Sequence, residues 1–490
     1  MSENHPPQTV WVVEPPAVPE PEGEGASVHV LAGALVAALT GAAVLAYERV
    51  GANLLITALA VLGALAPLRK RRMDRTSLLF GTLAVALLGI AALRDAGWIV
   101  ALSVCLALPL LSYATIGGKG WLDLAGGGLA PLASIFRMVP WLERGVRAQA
   151  SAGRGRAGTA LRSGLAALLL LVVFGALLAS ADAAFDSVIA AVLPDLTLPS
   201  VIIRCFLFLT IGLLTLALAH QCAEPPSLDG LITRPEPAGR LPWAFPLAAL
   251  NLLFVVFAAV QATVLFAGDK DALLRSTGLS YSQYARQGFF QLVAVTVLVL
   301  AVVAIAYRFA PLAEKRDRVL VRVLLGLLCA LTLVIVAVAL RRMSLYEEAS
   351  GWTRLRLWVH SFELWLGLVF VLIGVAGVRL RGAWLPRTVA ATGAAGLLVL
   401  GLINPDAFIA GRNVDRVLDG RHLDTGYLRE LSADAVPALD RLPEPRRSCL
   451  LGHYAEALGD GDAWPEANLS RSAARDLIRR HPLVPGTCPR

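Results

Sequence analysis

Residues 396–416 read GLLVLGLINPDAFIAGRNVDR. The run begins as hydrocarbon-grade sequence, breaks at Asn404-Pro405-Asp406, and resumes as a charged helical pattern. Asn404 suits a helix N-cap, Pro405 suits the first helical position, and Asp406 complements the positive end of a helix dipole. One membrane helix therefore stops here and another helix begins. In that second helix Phe408, Ile409, Val414, Val417 and Leu418 alternate with Arg412, Asp415, Arg416 and Asp419. The pattern suits a helix lying along the outer membrane surface, and equally an ordinary soluble tail helix.

Upstream of this break the chain is almost uniformly apolar. Of 490 residues 57% are hydrophobic and only 16% charged, with mean hydropathy +0.66, against about 45 to 50% apolar residues in a soluble protein. The fold class is all-α: a transmembrane helical bundle with a small helical extramembrane C-terminal tail, since an open sheet cannot satisfy its backbone in lipid. A spanning helix needs about 20 apolar residues. Eleven candidate spans follow, at 27–47, 52–68, 76–93, 97–116, 160–180, 197–219, 242–267, 288–310, 318–340, 355–378 and 385–404. Residues 1–26 contain no Lys or Arg, five glutamates and six prolines. They read as a disordered acidic leader rather than a secretory signal.

The net charge of +8 lies in loops between apolar stretches, so it reports topology and not nucleic-acid binding. Lysine supplies only Lys70, Lys119, Lys270 and Lys315 among the 44 basic residues, the usage of a GC-rich bacterial genome. Basic clusters at 69–75, 119–156 and 315–318 mark inner loops, while the stretch with Asp182, Asp186 and Asp195 carries no basic residue and marks an outer one. Alternation then gives a bacterial inner-membrane protein with a cytoplasmic N-terminus and an extracytoplasmic tail at 405–490. Arg341, Arg342, Arg354 and Arg356 are the exception, flanking the outer end of the tenth span.

Five stretches carry a family resemblance: ASADAAFDSVI (179–189), YSQYARQGFFQLVAV (281–295), RRMSLYEEASGWTRLRLWVHSFELWLGL (341–368), INPDAFIAGRNVDR (403–416) and LDTGYLRELSADAVPAL (423–439). Together they resemble the bacterial membrane family labelled domain of unknown function 4173, related to 4153, from about residue 50 to the first helices of the tail. The resemblance implies an integral membrane protein and supplies no mechanism. In the alternating topology each stretch falls at an outer span end or just beyond it.

Polar residues inside spans mark candidate sites, because a charge in lipid is costly. Arg204, Gln261 and Glu363 share a layer roughly 9 to 12 Å deep at 1.5 Å per residue. Arg356, His360 and Glu363 follow i, i+4, i+7 spacing on one stripe, with Gln291 and Asn404 just above the layer. The sharp reading is an outward-facing polar pocket in which Arg204 pairs with Glu363 and His360 accepts a proton. The plain reading is interhelical contact without a ligand. Gly33, Ala37 and Gly41, like Gly393 and Gly396, form small-residue packing faces.

Asp182 and Asp186 form an acidic pair at a helix end, too few oxygens for a hard cation. The inner loop 117–159 has glycine-rich stretches but no phosphate loop, since no strand precedes them and no Gly-Lys-Ser/Thr follows. Its apolar residues amid Arg137, Arg144 and Arg147 suit a re-entrant or surface-lying segment held by anionic lipid. No metalloprotease, serine-hydrolase or Cys-x-x-Cys motif occurs, so no catalytic residue, metal or cofactor is assigned. In the tail, helical patterns fall at 446–458 and 469–480, and Cys449 and Cys488 suit a disulfide if that compartment is oxidising. The functional expectation is an envelope sensor, scaffold or regulatory partner, meeting a protein or small ligand on the outer face. A transporter using the polar pocket comes second and a membrane-embedded enzyme third.

Overall fold

The computed structural model describes residues 25–70, 75–116, 120–121, 126–152, 198–225, 239–266, 289–380, 382–421 and 424–484, with scattered positions between 163 and 182. Every regular element among the described residues is helical. The membrane part comprises α1 (Val28–Val44), α2 (Ala52–Leu65), α3 (Arg75–Leu93), α4 (Gly97–Ile116), α5 (Ala130–Ala152), α6 (Leu198–Ala223), α7 (Arg240–Phe266), α8 (Phe289–Phe309), α9 (Lys315–Ser350), α10 (Arg354–Arg379) and α11 (Leu385–Leu402). Eight of them, α3, α4 and α6 to α11, are long and apolar enough to cross a membrane, and α1 and α2 are shorter apolar helices. These ten fall on ten of the eleven expected spans; the expected span at 160–180 lies mostly outside the described residues. Phe206, Phe245, Leu252, Leu298 and Val378 stand exposed on the outside of the bundle, as a lipid-facing surface requires. The chain is an integral membrane protein built as a helical membrane bundle.

Four cores hold the bundle among the described residues, the smallest joining Val369 and Ala376 of α10 to Leu385 and Val389 of α11. Val30, Ala37, Val61 and Ala217 join α1, α2 and α6, with Trp141 of α5 closing the cluster. Phe80, Leu87, Ile99 and Tyr113 pack α3 on α4 and meet Leu397 of α11. Leu247, Val299, Leu328 and Phe370 knit α7 to α10. Small residues set the closest approaches: a Cβ at Gly33 would stand 2.8 Å from Ala64 of α2, and one at Gly41 would stand 2.9 Å from Ile211 of α6. On α11, Gly393 abuts Trp365 while Gly396 faces open space, and the tightest contact is at Gly401, where a Cβ would meet Ile90 at 2.9 Å. Buried polar groups cross-link the lipid-embedded helices, as when Asn251 donates to the carbonyls of Leu247 (2.9 Å) and Leu324 (3.1 Å), tying α7 to α9.

The loops sort to two ends. At one, Arg144 of α5 pairs with Glu224 at 2.8 Å, Gln221 accepts from Ser112 and Thr115 of α4, and Arg240 of α7 binds Asp317 of α9. The other end carries the tail: α12 (Pro405–Leu418), α13 (Thr425–Arg429), a 3-10 turn (Ala433–Ala435), α14 (Val436–Leu439), α15 (Arg446–Leu458) and α16 (Leu469–Arg480). Helix α9 runs for 36 residues, about 54 Å at 1.5 Å per residue against about 30 Å of hydrocarbon. Its final turns, past the expected end at 340, therefore rise toward the tail.

The helix announced by Asn404-Pro405-Asp406 is α12, and its apolar face does not meet lipid. Ile409, Ala410, Val414 and Val417 are buried with Leu428, Val436, Leu451 and Ala474 in the tail's own core, against Trp352 and Leu357 of the bundle. The surface-lying reading is thus corrected in favour of an ordinary tail helix: the 3-10 turn and α14, absent from any local periodicity, pack on that face, with the rest of the tail core behind them. Substituting Gly401 by Leu should lower the stability of the detergent-purified protein by about 1 to 3 kcal/mol through overpacking against Ile90. Gly396→Ala should change it little; equal melting of both variants would refute the close α3–α11 contact.

Candidate functional site

The site is the junction where the tail grips the span ends. It is assembled around four carboxylates, Asp406, Asp434, Asp95 and Asp462. Asp406, in the first turn of α12, is fully buried and accepts from Trp98 Nε1 of α4 (3.0 Å), Arg354 Nε of α10 (3.0 Å) and the Ser432 N–H (2.9 Å). Burial pushes this acid up, but the Arg354 guanidinium, the Ser432 amide and the Trp98 indole outweigh it and hold Asp406 below the usual carboxylate range. Asp434, also buried, accepts from the N–H groups of Asp95 (2.8 Å) and Ala96 (2.9 Å), which sit at the entry of α4. Ser432 and Ser470 hydroxyls complete its shell. Here burial prevails: Asp434 lies above the usual range, the hydroxyls and amides only partly offsetting the loss of water.

Asp95 returns the exchange. Its carboxylate accepts from the Ala433 N–H (3.1 Å) and pairs with Arg471 of α16 at 2.7 Å. Arg471 is almost wholly buried and also donates to Asp462 (3.1 Å), the Val50 carbonyl (3.2 Å) and the Glu466 carbonyl. Asp462 in turn binds Arg475 at 2.7 Å and Arg49, at the entry of α2, at 3.4 Å. Burial pushes Asp462 up, but Arg475 and Arg471 outweigh it and hold the acid below the ordinary carboxylate value.

Span ends that lack intrahelical partners are satisfied by the same residues. Asn468 donates to the carbonyls of Ala91 (2.8 Å) and Arg94 (2.9 Å) at the end of α3. Arg94 donates to Gly401 (2.9 Å) and Leu402 (2.7 Å) at the end of α11. Asn413 of α12 reads the Trp352 peptide with both amide atoms, at 3.0 and 2.9 Å, just after Gly351 takes φ +83° to stop α9. Gly51 is held against Glu466, whose carbonyl a Cβ there would strike, and the Ala52 N–H donates to Ala467.

Of the residues assigned to the expected polar pocket, only Asn404 joins this network, alongside Asp406 and Arg354, which the sequence marks as a helix-start residue and a topological exception. Asn404 adopts φ +63°, which Asn tolerates better than most residues. Its amide either accepts weakly from the Ala407 N–H at 3.4 Å or, turned over, donates to Asp434 and accepts from Arg94, both at 3.2 Å; the second orientation makes two bonds to one. The expected Arg204–Glu363 pair does not form, because α6 packs on α1, α5 and α4 whereas α10 packs on α9 and α11. Glu363 is fully buried with neither carboxylate oxygen hydrogen-bonded. His360 lies 3.5 Å from Glu347 of α9, an ion-pair distance without hydrogen-bond geometry. Arg356 stacks over Tyr346 at 4.0 Å, Gln261 is approached by Arg342 at 3.5 Å, and Gln291 is exposed at the start of α8. The expected single polar pocket is thus dispersed.

Asp182 is exposed, and Asp186 lies outside the described residues. Cys449 is engaged in a disulfide while Cys105, Cys205 and Cys329 are free thiols; Cys488 lies outside the described residues. Asp95, Asp434, Asp462, Arg354 and Arg471 went unrecognised as a group. Asp406 and Asp434 do stand within quoted family stretches, and Arg354 stood out as a topological exception, which was the available signal.

Residues 82–442 match the family model described as domain of unknown function, DUF4153, and the chain belongs to that family. The match takes in Asp95, Arg354, Asp406 and Asp434, while Arg471 and Asp462 fall beyond it. No curated protein and no solved structure matches the chain.

Replacing Asp434 by Ala should cost about 2 to 4 kcal/mol, since two buried amides and two hydroxyls lose their acceptor, whereas Asn should cost much less. The two acids give opposite pH signs. Asp406, depressed in the fold, contributes stability above its unfolded value near 3.8 that is lost as pH falls through the lower folded value. Asp434, raised in the fold, opposes folding as pH climbs from 3.8 through its raised value. In melting curves against pH, Asp434→Asn should therefore gain on the wild type as pH rises through that window, and the deficit of Asp406→Asn should shrink toward pH 3. Parallel curves for all three proteins would contradict both assignments.

Proposed function

We propose that this family member is an envelope sensor or scaffold of a bacterial inner membrane, with its N-terminus cytoplasmic and its tail extracytoplasmic. The observation that carries the reading is the junction itself. The tail binds the α1–α2, α3–α4 and α9–α10 turns at once, through acids whose oxygens are occupied by backbone N–H groups and guanidinium, and Arg94 of the α3–α4 turn ties in the end of α11. Such a site is built to hold and to release helices, and saturated carboxylates suit positioning rather than proton transfer. A protein partner or small ligand that altered the tail would be felt by at least four spans. On the opposite end, α5 exposes Phe136 beside Arg137 and Arg144, and anionic lipid is the partner that fits that face.

The orientation is tested by thiol labelling. With Cys449 paired to Cys488 in an oxidising compartment, a membrane-impermeant reagent should label those two positions in intact cells only after reduction. Labelling that requires lysis would overturn the extracytoplasmic assignment. The sensor reading is tested by Asp434→Ala, which should raise protease cleavage within the tail and reproduce any phenotype of deleting the gene's product while leaving membrane abundance above half. Unchanged complementation by a variant with a demonstrably released tail would remove the tail from the function.

A second reading, a transporter or small-molecule binder, is favoured by Glu363. A fully buried carboxyl without a hydrogen-bond partner inside α10 is an unusual expense in a membrane and marks a site that a proton or cation visits. Glu363→Gln, isosteric and uncharged, should leave folding intact while eliminating any ligand-coupled proton movement measured in proteoliposomes; retained coupling would dismiss this reading.

A further inference from the structure

A cavity of about 700 Å³ opens at the junction. Its upper wall belongs to the tail and contains Arg429 of α13 and His453 of α15, both exposed; Arg49, Arg94 and Arg471 converge from the span ends. Of these arginines Arg471 is paired with Asp95 at 2.7 Å and with Asp462, and Arg49 with Asp462 at 3.4 Å, so the cationic character of the rim comes from Arg94, Arg429 and His453. The lower wall is apolar. Leu54 of α2 faces Val100, Ala101, Val104 and Cys105 of α4 across it. These α4 residues follow Gly97 on one helical stripe, and Ala101 and Cys105 are exposed. From Gly97 to Cys105 the stripe descends about 12 Å at 1.5 Å per residue, from the span end into the hydrocarbon layer.

A cationic rim at the depth of lipid headgroups, continuing into an apolar groove that runs down a spanning helix, has the polarity and the direction of one molecule of an anionic phospholipid. We propose that this cavity binds such a lipid from the surrounding bilayer, its phosphate against Arg429 and His453 and the proximal part of one acyl chain along the Ala101–Cys105 stripe. Charge complementarity selects an anionic over a zwitterionic headgroup, and the groove selects an acyl-bearing ligand over a free phosphate ester. Since the rim is tail and the groove is span, the bound lipid touches both sides of the junction and fastens one to the other. The proposal deepens the sensor reading by naming a ligand for the same junction. It depends on that reading only for the leaflet involved, so an inverted thiol-labelling result would move the lipid to the other leaflet and leave the binding intact.

The test uses the full chain, delipidated in non-ionic detergent, with melting followed as lipid is added; a ligand of the folded state raises the melting temperature by mass action. Phosphatidylglycerol should raise it saturably, while phosphatidylcholine and glycerol phosphate should not. Ala101→Trp, which fills the groove, should remove the shift. Arg429→Gln should weaken half-saturation roughly fivefold, the value of one basic side chain near an anionic lipid. Val104→Trp serves as the second groove variant should Ala101→Trp melt below the ligand-free wild type. An equal shift with phosphatidylcholine, an equal shift with glycerol phosphate, or an undiminished phosphatidylglycerol shift in a folded groove variant would each overturn the proposal.

Discussion

The exchange between Asp95 and Asp434 is the constraint on which the junction rests. Each carboxylate accepts a backbone N–H from the other's segment, Asp434 from Asp95 and Ala96, Asp95 from Ala433. A reciprocal pair of this kind fixes both distance and register, so the α3–α4 turn and the tail can meet in one way. Two acids brought so close would repel if nothing else were present. Arg471 answers for Asp95, while Asp434 is left to hydroxyls and amides, which explains why burial dominates its titration. Removing one partner from such a set leaves a desolvated group behind, so the network is strong only when whole.

In the proposed orientation, the same arrangement accounts for two of the four basic residues that defied the positive-inside pattern, Arg354 and Arg356. Arg354 is neutralised by buried Asp406, and Arg356 is folded over Tyr346 with its guanidinium donating to the Gly351 carbonyl. Arg416 and Arg421 bind the last carbonyls of α9. The topological rule concerns charge that remains available to the membrane surface. Arginines spent on carboxylates and helix-end carbonyls of the same chain do not count in that way, and a sequence shows which residues are basic without showing which are spent.

Much of the architecture was legible because hydrophobic length is a local property. Ten apolar helices, eight of them long enough to cross a membrane, stand at the expected span positions, and α15 and α16 occupy the ranges that tail patterning gave them. The Asn404-Pro405-Asp406 break reported a helix boundary correctly for the same reason: capping is decided by adjacent residues. The polar pocket failed where the question became non-local. Depth along each span put Arg204, Gln261 and Glu363 in one layer, yet depth says nothing of azimuth or of which helices are neighbours. Arg342 near Gln261, and Glu347 near His360, were supplied by α9, whose continuation to Ser350 was hidden because Arg341, Arg342, Glu347 and Glu348 end its apolar run before its helix ends. Asp95 and Arg471 stand far apart in sequence, and no spacing links them.

Capping, ordinarily an event within one helix, has become here the means of joining helices. The exposed carbonyls of α3 are taken by Asn468, those of α9 by Arg416 and Arg421, those of α11 by Arg94, and the entry of α4 by Asp434. A span end needs such partners wherever water is excluded, so a tail that supplies them lowers the free energy of each span in its present position. The dependence runs both ways, because the tail's core closes only against Trp352 and Leu357. Displacing α3, α4 or α9 along its axis therefore breaks caps that belong to the tail, and lifting the tail uncaps spans that do not touch one another. That mutual dependence, more than any single bond, is what makes a change at the tail a change for the membrane helices.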